Sequence, residues 1–148
     1  MTKIALYKPD IAGNVGTIIR TCVCFNLELI IIEPCGFPFD MNRVRKSALD
    51  YIDHAKITRY GGFEDFYDNE IKERKTRLVL ASTKASTNYK DFKFGKNDII
   101  MFGRESSGVP DNVFEASDER IFIEMKNNMR SLNVAISCGI IASSARYC

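Results

Sequence analysis

Three stretches carry polar residues at spacings that could do chemistry, and the first two directly follow short apolar runs. Residues 8–16 deliver Asn14 and Gly16 to a helix start and place Arg20 one turn further on. Asn14 suits the free amides of such a start. Residues 103–110 set Glu105, Ser106 and Ser107 between Gly103 and Gly108, glycines that permit close backbone approach or a positive φ. Pro110 and Asp111 then open a short helix. Residues 124–131 run into Ser131-Leu132-Asn133, with Ser131 placed to cap the last helix and Asn133 in its first turn. Each stretch alone reads as an ordinary turn or cap.

The rest of the composition excludes several kinds of chemistry. The single histidine, His54, rules out a His-based triad or a zinc site of several imidazoles within one chain. Gly13-x-x-Gly16 lacks the third glycine of a dinucleotide turn, and no Gly-Lys-Ser/Thr is present for a P-loop. The five cysteines (22, 24, 35, 138 and 148) are odd in number, scattered and mostly within apolar runs, which predicts buried, reduced thiols and a cytoplasmic setting. Cys22-x-Cys24 is not a metal-ligand spacing, and no metal is expected. With 21 Lys+Arg against 19 Asp+Glu the net charge is +2, so a nucleic-acid partner has to be argued from local patches. The apolar runs at 29–32 and 134–142 fall short of the roughly 18 residues that span a bilayer, so no membrane partner is expected.

The elements that must hold these residues alternate. Residues 4–7, 29–32, 57–60, 78–82, 99–102 and 121–123 are apolar or β-branched runs of strand length. Residues 16–25 carry Ile18, Ile19, Cys22 and Val23 on a helical stripe, and residues 63–71 repeat with Phe63, Phe66, Tyr67 and Ile71. The last helix, about 131–147, is apolar over more than one face, which predicts burial on two sides or a subunit interface. The 148 residues therefore predict one α/β domain, 1–148, with a mostly parallel sheet covered by helices on both faces. In such sheets ligands lie beyond the carboxyl ends of the strands, where the first two polar stretches fall.

In order and spacing, Asn14-x-Gly16-x-x-x-Arg20, Phe102-Gly103-x-Glu105-x-x-Gly108-x-Pro110 and Ser131-Leu132-Asn133-Val134 resemble the SPOUT methyltransferases of the SpoU type. The resemblance covers nearly the whole chain. It is nearest the minimal members that methylate the tRNA wobble ribose, through Leu6-Tyr7-x-Pro9-x-Ile11, Ile32-Glu33-Pro34-x-Gly36-Phe37 and Arg43-x-Arg45-x-x-x-Leu49-Asp50-Tyr51. Two departures stand out: Arg104, where relatives often carry Pro or Ser, and Ser143-Ser144, where they often carry Tyr-Glu.

The resemblance implies a C-terminal deep trefoil knot, a topology otherwise almost absent from folds. It implies S-adenosyl-L-methionine as cofactor, with Ala81, Gly103, Ile123 and Ser131 lining its pocket largely through backbone groups. The implied reaction is methylation of the 2′-hydroxyl of C34 or U34 of tRNA, in leucine isoacceptors, with recognition centred on the anticodon stem-loop. A guanidinium with a pKa above ~12 is a poor base. Arg20 is therefore expected to clamp a phosphate and stabilise the developing alkoxide. Asn14 and Asn133 are expected to orient substrate or Arg20, and Glu105 to fix Arg20 or the Ser131 loop. Arg43, Arg45 and Lys46, with Lys8, are the expected RNA contacts, and a homodimer sharing its active sites is the implied assembly. The competing readings are methylation of another tRNA or rRNA site, a non-catalytic RNA-binding module, and a Rossmann-like oxidoreductase, the last opposed by the missing glycine fingerprint.

Overall fold

The computed structural model describes residues 1–146. Seven strands form one sheet: β1 (Lys3–Tyr7), β2 (Glu28–Ile32), β3 (Ile57–Tyr60), β4 (Leu78–Ala81), β5 (Thr87–Asn88), β6 (Ile99–Phe102) and β7 (Glu119–Phe122). Their order is β3-β2-β1-β6-β4-β7-β5, and every strand pair is parallel. All carboxyl ends therefore open on one side.

Both faces are covered, which is why the strands are nearly continuous apolar runs. Ile4, Leu6, Leu29, Ile31, Val79, Ile100 and Ile121 face a core with α1 (Ala12–Phe25), α2 (Met41–Ala48) and α5 (Val134–Ala145). The intervening residues Ala5, Tyr7, Ile30, Ile32, Leu78, Leu80, Ile99 and Met101 face a second core with α3 (Phe63–Phe66), the π-helical turn Tyr67–Lys72 that continues it, and α4 (Asp111–Ala116). This alternation is the two-residue period of a strand, displayed on two buried surfaces.

Several boundaries differ from the sequence reading. The first helix starts at Ala12 with Ile11 at its N-cap position, so Asn14 is an internal residue of α1 and not its cap. The last helix starts at Val134, and Asn133 is its cap, accepting from the amides of Ala135 (2.8 Å) and Ile136 (3.3 Å). Ser131 caps nothing. The expected end of this helix near 147, and Cys148, lie outside the described residues. Within one chain α5 is buried on a single side, through Ala135, Cys138, Ile141, Ala142 and Ala145, while Ile136 is 55% exposed. Of the thiols, Cys22 and Cys138 are buried, Cys35 is half-buried and Cys24 is exposed. Burial holds the Cys22 thiol up at about 12 and raises that of Cys35 to about 11, so both stay protonated.

Candidate active site

Beyond the carboxyl ends of β4, β6 and β7 lies a cleft of about 590 Å³. That is an ordinary size for a small-molecule site, at the place where parallel sheets bind ligands. Its apolar side is formed by Leu80, Ile121, Leu132 and Ile141, and its rim by the loops after the three strands. Ala81, Gly103, Ile123 and Ser131 all line it, and so do Asn14, Glu105 and Asn133. Arg20 does not.

The three polar stretches meet across this cleft. The Glu105 carboxylate accepts from the amides of Asp10 and Ile11, at 3.0 Å each, and from Asn14 Nδ2 at 3.1 Å. It thus supplies the acceptor that α1 lacks, since Ile11 has no capping side chain. Asn14 Oδ1 in turn accepts from Asn133 Nδ2 at 3.1 Å, and Asn133 Oδ1 caps α5. Each amide has its orientation fixed by this relay, because a carboxylate can only accept and a helix amide can only donate. Glu105 makes no direct contact with Arg20 or Ser131; through Asn14 it reaches Asn133, just after the Ser131 loop, and the two asparagines hold one another.

A second tie runs beside it. Arg104 donates from Nε (3.1 Å) and Nη2 to Asp10 Oδ1, while Ser106 donates from its amide (3.0 Å) and hydroxyl (2.6 Å) to Oδ2. Arg104 and Ser106 hold the Asp10 carboxyl down at about 2. The loop itself is folded tightly, with Arg104 and Gly108 exchanging backbone hydrogen bonds at 2.9 Å in both directions. A Cβ on Gly103 would lie 2.7 Å from the Gly108 carbonyl carbon, and Gly108 has φ +68°. Gly103 is therefore required by the loop's own closure. Sequence reasoning missed Asp10, and the one signal for it was Arg104, a cation where the resemblance leads one to expect Pro or Ser.

Arg20 sits apart, exposed on α1, with its guanidinium carbon 5.0 Å from the centre of the Tyr51 ring. Of the expected RNA contacts on α2, Arg45 is paired with Asp53 at 3.2 Å, whereas Arg43 and Lys46 have no ion pair among the described residues. Among those residues there is also no group of His, Cys, Asp and Glu side chains that could hold a metal ion.

A parallel sheet with a cleft at its carboxyl ends, closed by these three motifs, defines the class, and comparison with known proteins agrees. Residues 1–143 match the SpoU rRNA Methylase family, and the chain belongs to that family. It is 44% identical over 142 residues to a tRNA (cytidine(34)-2′-O)-methyltransferase of Beijerinckia indica, covering 96% of this chain and 88% of that protein. A solved structure concerned with the 2-OH methylation of C/U34 on tRNA superposes with a TM-score of 0.92 at 29% identity, covering 98% and 93% of the two chains. An AdoMet-bound rRNA methyltransferase from Sinorhizobium meliloti superposes with a TM-score of 0.86 at 26% identity, covering 99% of this chain and 56% of that one.

Proposed function

We propose that this chain methylates the ribose 2′-hydroxyl of the wobble nucleotide, C34 or U34, of tRNA, using S-adenosyl-L-methionine, with leucine isoacceptors as substrates. The observation that carries this reading is the Glu105–Asn14–Asn133 relay. It ties the helix bearing Arg20 to the loops on either side of a cofactor-sized cleft. The similarity to enzymes acting on position 34 over nearly the whole chain supplies the substrate.

The cleft suits the cofactor on its own chemistry. Apolar walls accept a flat purine, and backbone groups around Ala81, Gly103, Ile123 and Ser131 offer donors and acceptors to its edge. The bound cofactor supplies an activated methyl group on a sulfonium. The protein's part is to position the acceptor oxygen and stabilise charge on it. Arg20 is suited to that part because its forked donors can meet a phosphate oxygen and the developing alkoxide together.

Two features favour a homodimer that shares its sites. Arg20 does not line the cleft of its own chain, and Ile11, Leu132 and Ile136 are 49%, 39% and 55% exposed near the cleft and along α5. A second copy covering this apolar surface is the source of an Arg20 for a cleft that its own chain's Arg20 does not line. We also read the C-terminal segment as the deep trefoil knot. In support, the chain passes from β4 to the edge strand β5, returns to β6 beside β1, and comes back after β7 to pack α5 on α1. The setting is the cytoplasm, and no described helix is long and apolar enough to cross a membrane.

The test is to map 2′-O-methylation in tRNA and rRNA from cells with and without the protein, and to offer the purified enzyme an isolated anticodon stem-loop. Loss of the methyl at position 34 alone, with methyl incorporation into the stem-loop, is the expected result. Methylation elsewhere with position 34 untouched would leave the family intact and overturn the substrate.

A further inference from the structure

Arg20 is held differently from the four arginines that pair with a carboxylate among the described residues. Arg45, Arg59, Arg77 and Arg104 each pair with a carboxylate, of Asp53, Glu33, Asp98 and Asp10 respectively. The Arg20 side chain has no hydrogen bond or ion pair among the described residues, and its guanidinium lies over the Tyr51 ring. An aromatic face attracts a cation through the ring quadrupole without taking up its N–H donors or cancelling its charge. A carboxylate would do both.

The ring is built into place. Gly16 and Arg20 are one turn apart and share a face of α1. A Cβ on Gly16 would fall 1.9 Å from Ser47 Oγ and 2.5 Å from the Val44 carbonyl oxygen, so α2 can lie directly on α1 only because residue 16 is glycine. At the end of α2 the chain turns through Leu49, with φ 55° and ψ −144°, a conformation costly for a branched side chain. Leu49 is itself 48% exposed, so burial of its own side chain does not account for that turn. The turn is held by Ala48 and Ile52 on either side, 0% and 4% exposed, and it starts the 3₁₀ helix Leu49–His54 that carries Tyr51 to Arg20.

We infer that Tyr51 is a positioning residue for Arg20, presenting the guanidinium with all its donors free, an inference that rests on the reading of Arg20 as the group that meets the substrate. Without the ring, a long, rotamer-rich side chain would be free to sample many poses. The Gly16-x-x-x-Arg20 spacing then has a physical meaning: glycine admits α2, and the arginine one turn on meets the 3₁₀ helix into which α2 leads.

The test uses the full-length protein with tRNA and S-adenosyl-L-methionine. Tyr51→Phe, which keeps the ring, should retain wild-type kcat, whereas Tyr51→Leu and Tyr51→Met should lose roughly tenfold in kcat with KM for the cofactor unchanged. Two substitutions guard against a disturbed turn in one of them, and thermal melting identifies a variant that no longer folds. Tyr51→Leu or Tyr51→Met combined with Arg20→Lys should be no slower than Arg20→Lys alone, because the ring acts only through the arginine. Wild-type kcat in Tyr51→Leu and Tyr51→Met, an equal loss in Tyr51→Phe, or losses additive with Arg20→Lys would each overturn the role of Tyr51. If the wild-type protein itself leaves position 34 unmethylated, the functional reading fails first, and the two failures are told apart.

Discussion

The sheet sequesters charge at both of its ends, with different consequences. At the amino ends, Lys3 at the start of β1 pairs with Glu70 at 3.0 Å, and Arg77, just before β4, pairs with Asp98, just before β6, at 2.7 Å. Glu70 is 2% exposed and also accepts from the Tyr60 hydroxyl at 3.0 Å. These groups fasten strand starts and the π-helical turn, and they line no cleft. At the carboxyl ends, Asp10 and Glu105 spend their oxygens on the backbone and side chains of neighbouring loops. The same side-chain chemistry holds strands together at one end and loops in register around a cleft at the other.

Two substitutions break this comparison most sharply. Gly103→Val puts a branched side chain against the Gly108 backbone, so the loop must open. We expect calorimetry to detect no heat of S-adenosyl-L-methionine binding while the protein stays folded; unchanged affinity would remove the loop from the site. Glu70→Ala should do the reverse. It removes the buried partner of the Lys3 ammonium, 14% exposed, leaving it only Glu28 at 3.9 Å, and should cost about 3 kcal/mol of stability at most. Denaturant unfolding should record that loss while kcat on tRNA, measured well below the melting transition, stays at the wild-type value.

That asymmetry tracks how legible each end was in the sequence. Two-sided burial makes parallel strands into continuous apolar runs, so six of the seven strands stand out as residues 4–7, 29–32, 57–60, 78–82, 99–102 and 121–123, within a residue or two at their ends. β5 has only two residues, Thr87 and Asn88, and α2 is eight residues long with two small buried positions, Val44 and Ala48, so each offers too short a window to stand out. The cleft residues were found through ordered motifs, but their partners were not. The acceptor for the start of α1 arrives from Glu105, some 94 residues further along, and the partner of Arg104 is Asp10, equally remote. Local rules assign caps to nearby polar residues, and they placed Asn14 and Ser131 wrongly for that reason.

Next in size is Arg20→Lys. The substitution keeps the charge and loses the fork, so turnover should fall by about 10²-fold while cofactor affinity is unchanged. Steady-state kinetics with an anticodon stem-loop would decide it, and near-wild-type turnover would remove the clamp.

Acid should then separate the loops from the strands. The Asp10 carboxyl is held at about 2, below its ordinary 3.8, so its ionised form stabilises the fold. The sign comes from linkage: this stabilisation is complete above roughly pH 4 and is lost as pH falls through 2, amounting to at most about 2 kcal/mol. Wild type should therefore lose stability relative to Asp10→Asn between pH 4 and 2, with no difference in pH slope near neutrality. A difference confined to neutral pH would contradict the pairing with Arg104.

The smallest effect lies on α2 and turns on which of its cations are already engaged. Arg43 and Lys46 have no ion pair among the described residues, so an RNA phosphate is the partner open to them. Arg45 already faces Asp53 at 3.2 Å, so its contact with a phosphate would first require that pair to open. A cation that neutralises a phosphate releases condensed counterions, and each such contact adds about 0.7 to the slope of log affinity against log salt for a single-stranded loop. Arg43→Ala and Lys46→Ala should each flatten the salt dependence of tRNA binding by about that amount, and Arg45→Ala by clearly less. Filter binding across a salt series measures all three. Equal changes for the three residues would mean that the Asp53 pair opens in the complex, and no change for any would place the RNA on another face.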